Sequence, residues 1–196
     1  RIGEAPPGFM NEEGLCAVNT ALSALWPLVE HGGPGEDVIL QAVSGNGLAR
    51  KKVVSQIEAS LGKNWIPGWM DANEILHLLL QRVDPSKAQC VKLVNVKGTT
   101  SWKRGSSATF FRPKGKGGHW TAMVRKGATW FWVNDSLVQE RNEPPEDFEP
   151  FLALVFTPDT SSKPPSRTLS FRDGVQQGAT CGGGPKSQNG PPLKPK

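Results

Sequence analysis

The chain has 196 residues, with 23 Lys+Arg, 18 Asp+Glu, three His, three Cys, seven Trp, eight Phe and no Tyr. At roughly 100–200 residues per domain this is one domain, or one domain and a tail. Three cysteines exclude a disulfide scaffold and fit a reducing compartment, so a cytoplasmic setting is expected; no apolar run approaches the ~18–20 residues of a membrane span, nor is there a secretory segment at the start.

A formal charge of +5 would suggest a nucleic-acid partner, but the charge is unevenly placed. Residues 159–196 hold six Lys/Arg, two Asp, six Pro and six Gly, the composition of a flexible tail that cannot offset its own ordering entropy. That leaves about +1 on residues 1–158, and the tail itself has no stretch of basic residues interleaved with aromatics. No specific nucleic acid, no membrane and no cofactor or metal is expected, and the domain is expected to be a monomer. The start at Arg1-Ile2-Gly3, without Met, is expected of a fragment cut from a longer precursor.

In chain order, Cys16–Val29 carries Val18, Leu22, Leu25, Trp26 and Val29 at helical spacing, with Pro27 ending or kinking the helix near Trp26. Val38–Val43 and Lys51–Leu61 read as further short helices, the second with Val53, Val54, Ile57 and Leu61 on one face. Asp71 is placed to N-cap Ala72–Val83, with Glu74 completing a capping box. From Cys90 the pattern becomes strand-like: 90–96, 107–111, 119–124, 129–133 and 151–156, with a turn at 126–128. Cys90 itself is expected in the core and Cys181 free in the tail. Helices over 1–85 followed by antiparallel strands over 86–158 predict an α+β domain with segregated layers.

Four features within this frame bear on chemistry. Cys16 stands at the first position of a helix, where the dipole favours a thiolate. His119 follows Gly117-Gly118 and opens a strand, a placement suited to a general base; His31 lies in a Gly/Pro loop and His77 inside an apolar helical run. A turn at 126–128 returns residue 134 or 135 beside His119, where Asn134 or Asp135 can accept the imidazole N–H and fix its tautomer. Asn11, five residues before Cys16, can offer a side-chain amide to a developing oxyanion. Singly, each has an ordinary structural explanation: a buried thiol, a strand-end histidine, a polar strand end, a loop asparagine.

Together they carry a resemblance. Asn11, Cys16, Asn19-Thr20, Leu22 and Leu25 are similar to the cysteine box of ubiquitin-specific proteases, which are papain-like peptidases. Gly118-His119-Trp120-Thr121-Ala122-Met123-Val124-Arg125 with Trp130-Phe131-Trp132-Val133-Asn134-Asp135-Ser136 resembles their histidine box, and Asp71-Ala72-Asn73-Glu74-Ile75-Leu76 an intervening helix motif. The chain departs from that family in lacking any Cys-x-x-Cys pair for its zinc ribbon, in carrying Asn134 where Asp is commoner, and in having Met70 where the helix motif has Gln. Its compact plan also resembles viral leader proteases.

The resemblance implies a papain-like fold, a helical subdomain packed on an antiparallel sheet with the active site between them. It assigns Cys16 as nucleophile, His119 as base, Asn134 as orienter with Asp135 sharing or assisting, and Asn11 as oxyanion donor. The implied activity is cysteine endopeptidase processing of a viral polyprotein, with deubiquitinating activity on ubiquitin or ubiquitin-like conjugates. A cellular deubiquitinase-like hydrolase and a weakly catalytic ubiquitin- or peptide-binding module are the alternatives. Trp65, Gly68 and Trp69, with Gly117, Gly118 and Trp120, are expected to line the cleft for an extended peptide.

Overall fold

The computed structural model describes residues 4–12, 14–29, 37–61, 71–115 and 118–157. The expected cleft residues Trp65, Gly68, Trp69 and Gly117, the loop histidine His31, Cys181 and the 159–196 tail lie outside them.

The helices come first. α1 (Cys16–Leu25), α2 (Val38–Val43), α3 (Gly47–Leu61), α4 (Ala72–Val83) and the short α5 (Pro85–Cys90) precede the strands β1 (Val91–Asn95), β2 (Ser106–Pro113), β3 (Thr121–Lys126), β4 (Thr129–Asn134), β5 (Leu137–Glu140) and β6 (Phe148–Phe156). The strands form one antiparallel sheet of order β1-β6-β2-β3-β4-β5. The protein is α+β, with the helical and strand regions divided along the chain as expected. No helix among the described residues is long and apolar enough to cross a membrane.

Each boundary has a local cause. α1 stops at Leu25, just before Pro27, because proline supplies no N–H and its ring clashes with the preceding turn. At α4, the Asp71 N–H donates to Glu74 Oε2 at 3.0 Å, as the capping box requires. α3 begins four residues earlier than the apolar spacing suggests: the Asn46 side chain accepts from the Ala49 N–H at 3.0 Å and caps the helix at Gly47. The added turn takes in Arg50, which shares a face with Val53 and Ile57 at i+3 and i+7 and is buried with them.

Cys90 is a correction. Asp84 caps α5 by accepting from the Lys87 N–H at 2.9 Å, and Cys90 closes that helix instead of opening a strand. Its half-buried thiol donates to Ser86 O one turn back, at 3.4 Å, and stands outside the core. β5 was not expected either: its four residues are mostly exposed at the sheet edge, so no alternation marks them.

α1 is buried along its whole length, between α4 on one side and β3 on the other. A helix in that position must be apolar nearly all round, and its polar residues need internal partners. They have them. Thr20 Oγ1 donates to Trp120 O at 3.0 Å and Ser23 Oγ to Pro7 O at 2.8 Å. Strand alternation then divides the core: Ala122, Val124, Phe131 and Val133 face the helices, while Met123, Trp130 and Trp132 join Phe111 and Trp102 on the far face. The sheet is thus covered on both faces, which holds β3 and β4 rigidly beside the start of α1.

Candidate active site

The site forms where the first turn of α1 meets the ends of β3 and β4. Gly14, at φ 75°, turns the chain into the helix, and the Leu15 N–H donates to Glu12 O at 3.2 Å. Cys16 is therefore the first residue of α1, with Leu15 as N-cap. Its N–H is among the four that an α-helix leaves without an intrahelical acceptor. The side chain is buried, with Sγ 3.8 Å from Gly118 O.

His119 arrives from the other side. It precedes β3 by two residues, short of the strand start expected from the sequence. Gly118 before it has φ 100°, a conformation L side chains rarely adopt, so glycine is needed there for its backbone and not for space. The two-residue turn Gly127-Ala128, with Gly127 at φ 61°, joins β3 to β4 in the register Ala122↔Val133. Asn134, the next residue and the last of β4, thereby comes level with the start of β3.

His119 Nε2 lies 2.7 Å from Asn134 Oδ1, a hydrogen bond in which the ring N–H donates to the amide oxygen. Nε2 being so engaged, Nδ1 is the nitrogen left for the thiol. Asp135 Oδ2 stands farther off, 3.7 Å from Nε2. Of the two residues that sequence left open, Asn134 makes the direct contact and Asp135 contributes charge. Asp135 is the one non-glycine residue with positive φ (52°) among the described residues, in the tight turn between β4 and β5, a conformation that Asp tolerates better than most.

These neighbours change the imidazole. Its pKa is raised from 6.5 to about 9, foremost by the hydrogen bond with Cys16, then by Asn134 and by the charges of Cys16 and Asp135, against an opposing effect of burial. An imidazole whose protonated form is favoured beside a cysteine is an arrangement suited to a thiol nucleophile.

Asn11 lies exposed in the loop before α1. Its chain neighbours are held firmly. Arg50 Nη1 donates to Met10 O at 2.9 Å and to Asn19 Oδ1 at 3.0 Å, while Nη2 pairs with Glu12 Oε2 at 2.9 Å. The Arg50 guanidinium also sits 5.2 Å from the centroid of the Phe9 ring. Asn19 Nδ2 donates to Asp135 Oδ1 at 3.0 Å and lies 3.3 and 3.4 Å from Phe9 O and Met10 O. The Phe9 N–H donates to Asp135 O at 3.0 Å. Arg50, Glu12 and the bridging use of Asn19 were not foreseen; Arg50 opens the run Arg50-Lys51-Lys52, which in sequence looks like an ordinary solvated face.

Of the expected cleft residues, Gly118 is exposed beside Cys16. Trp120 stands elsewhere: it is 3% exposed, with its ring 5.9 Å from that of Phe110 and 5.7 Å from Phe151, and the Arg112 guanidinium 4.4 Å away. It is a core residue, because it belongs to the helix-facing side of the sheet, and its carbonyl anchors Thr20. Among the described residues no cluster of three or more His, Cys, Asp or Glu could hold a metal ion.

No family model matches the chain, and no curated protein matches it in sequence.

Proposed function

We propose that this protein is a papain-like cysteine peptidase. The observation that carries the reading is the placement of Cys16 at the head of a buried helix, with Sγ 3.8 Å from the carbonyl of Gly118 just before His119, and of His119 Nε2 2.7 Å from Asn134 Oδ1. The site has the three parts of an activated nucleophile: a thiol, a base within reach, and a neutral group that orients the base. The α+β arrangement, with helices against an antiparallel sheet and this site at their junction, supports a papain-like fold.

In the proposed reaction the Cys16 thiolate attacks the scissile carbonyl, and the oxyanion is met by the Cys16 N–H and the Asn11 amide. His119, protonated up to about pH 9, gives its proton to the leaving amine. It then takes a proton from the water that resolves the thioester, and Cys16 is released as thiolate. Asn134 holds the ring in place through both steps. Asn134 is neutral, so the negative field on the imidazolium comes from the Cys16 thiolate and from Asp135 at 3.7 Å.

The substrate class follows from the motif resemblance: peptide bonds at a viral polyprotein junction, with deubiquitinating activity on ubiquitin or ubiquitin-like conjugates in the cytoplasm of the host. Two assays test it together, cleavage of a longer precursor followed by mass spectrometry, and hydrolysis of a ubiquitin–aminocoumarin conjugate. Wild type is expected to act in at least one, Cys16→Ala in neither. Asn11→Ala is expected to lose on the order of 10²–10³ in turnover. Equal activity of wild type and Cys16→Ala would overturn the assignment.

A further inference from the structure

The loop that carries Asn11 is held by a polar cluster with no counterpart among the three groups of the proposed reaction. Arg50 is at its centre. Its side chain is 4% exposed, and its guanidinium is shared among Met10 O, Asn19 Oδ1 and Glu12 Oε2, all at 2.9–3.0 Å. Burying an arginine costs several kcal/mol per charge in a protein interior unless its hydrogen bonds are well satisfied. A position on the apolar face of α3, beside Val53 and Ile57, would be better served for stability by a leucine or methionine. What the arginine supplies and an aliphatic residue cannot is geometry, because its planar fork reaches several acceptors at fixed angles.

The acceptors lie on either side of one residue. Met10 O and the Glu12 carboxylate flank Asn11, and the Glu12 N–H donates to Met10 O at 3.1 Å, closing a tight loop around it. Asn19, held through its oxygen by Arg50, turns its amide nitrogen to Asp135 Oδ1, in the turn that follows Asn134. The cluster therefore joins the two segments that must be in register for acyl transfer: the loop bearing the oxyanion donor and the turn bearing the orienter. Gly8 completes the junction, since a Cβ there would come within 2.7 Å of Val138 Cγ2 and 3.0 Å of Ser136 O.

We infer that Arg50, acting through Asn19 and Glu12, is a positioning residue that sets the Asn11 loop for stabilisation of the oxyanion. The inference rests on the peptidase reading, and it separates two steps that this reading joins. The hydrogen bonds and the ion pair of Arg50 run to Met10, Glu12 and Asn19, and to neither Cys16 nor His119, so its main effect is expected on the placement of Asn11, with only a small one on the thiol through Asp135. A displacement of about 1 Å at such a group costs on the order of 10²-fold.

The test uses two reagents on the full chain. Acylation of Cys16 by p-nitrophenyl acetate passes through an oxyanion, whereas alkylation by iodoacetamide displaces iodide and forms none. Arg50→Lys keeps the charge and loses the fork. It is expected to slow acylation by about 10- to 100-fold and to leave alkylation within about twofold. In an Asn11→Ala background, Arg50→Lys is expected to add less than about twofold, because the group it positions is gone.

Equal slowing of both reactions, the full factor persisting in the Asn11→Ala background, or acylation at the wild-type rate would each overturn the inference. Should Arg50→Lys lower the melting temperature enough to obscure the kinetics, Glu12→Gln decides. Its side chain is 52% exposed, so it can be changed without burying a charge; the same split between acylation and alkylation supports the clamp, and wild-type acylation removes it. The substrate assignment stands or falls separately, on the ubiquitin and precursor assays.

Discussion

Removing the Cys16 thiol should make His119 a much weaker base. In the intact site the imidazole is raised from 6.5 to about 9, and the largest cause is its hydrogen bond with Cys16, to which the negative charge of Cys16 adds. Cys16→Ala deletes both. Burial then acts to lower the pKa, opposed by Asn134 at 2.7 Å and by Asp135 at 3.7 Å. The titration midpoint should fall from about 9 toward the ordinary histidine value of about 6.5. Asn134→Ala should move it down by less, since the Asn134 bond ranks below the Cys16 bond among the causes.

The measurement is a pH titration of the His119 ring resonances by heteronuclear NMR in wild type and both variants. Linkage gives a second readout of fixed sign. Because the folded-state pKa is raised, the interaction stabilises the native state fully below about pH 6.5 and is lost as pH rises through about 9. The stability advantage of wild type over Cys16→Ala should therefore shrink across that interval. The basic limb of kcat/KM should fall in the same range, as the leaving amine loses its proton donor. A wild-type midpoint near 6.5, or a midpoint near 9 that survives in Cys16→Ala, would refute the thiolate–imidazolium reasoning.

Three further outcomes follow from the same geometry. Gly8→Ala should destabilise the fold by roughly 1–3 kcal/mol in urea denaturation and reduce turnover, because its Cβ would push on the Ser136–Val138 segment that adjoins Asn134. Thr20→Val should cost about 1–3 kcal/mol, since it strands the buried Trp120 carbonyl without its donor at 3.0 Å; a cost near zero would show that bond to be dispensable. Asn134→Ala should lower kcat by about 10²-fold through misorientation of the ring, and Asn134→Asp should recover most of that loss in the same hydrolysis assay.

Much of the site was readable from the chain because its parts are local and spaced by backbone rules. A cysteine opening an apolar helix, a histidine after a glycine pair and an Asn-Asp at a strand end are each sequence features. One short turn between two strands suffices to bring the last two together. Distinguishing Asn134 from Asp135 needed coordinates, since both can approach the ring and only their distances, 2.7 and 3.7 Å, separate them. Trp120 shows the converse. It lies next to His119 in sequence, yet strand alternation turns its ring into the core, so adjacency along the chain did not mean adjacency in the cleft.

The α+β division, the helical spacing of α1, the Asp71–Glu74 cap and the end of α1 before Pro27 were determined by the sequence alone. Periodicity, capping chemistry and proline geometry act within a few residues. The start of α3 at Gly47, capped by Asn46, was also a local signal, but one asparagine among loop residues is weak until its cap is seen. Only the tertiary structure decided that Arg50, 31 residues from Asn19 and 38 from Glu12, would be buried beneath the Asn11 loop. Equally, it decided that Asn19 would reach across 116 residues to Asp135. Contacts at such separations leave no periodic trace, because they are set by how helix and sheet pack once each has formed. A basic residue bound for the interior looks, in the chain, like one bound for water.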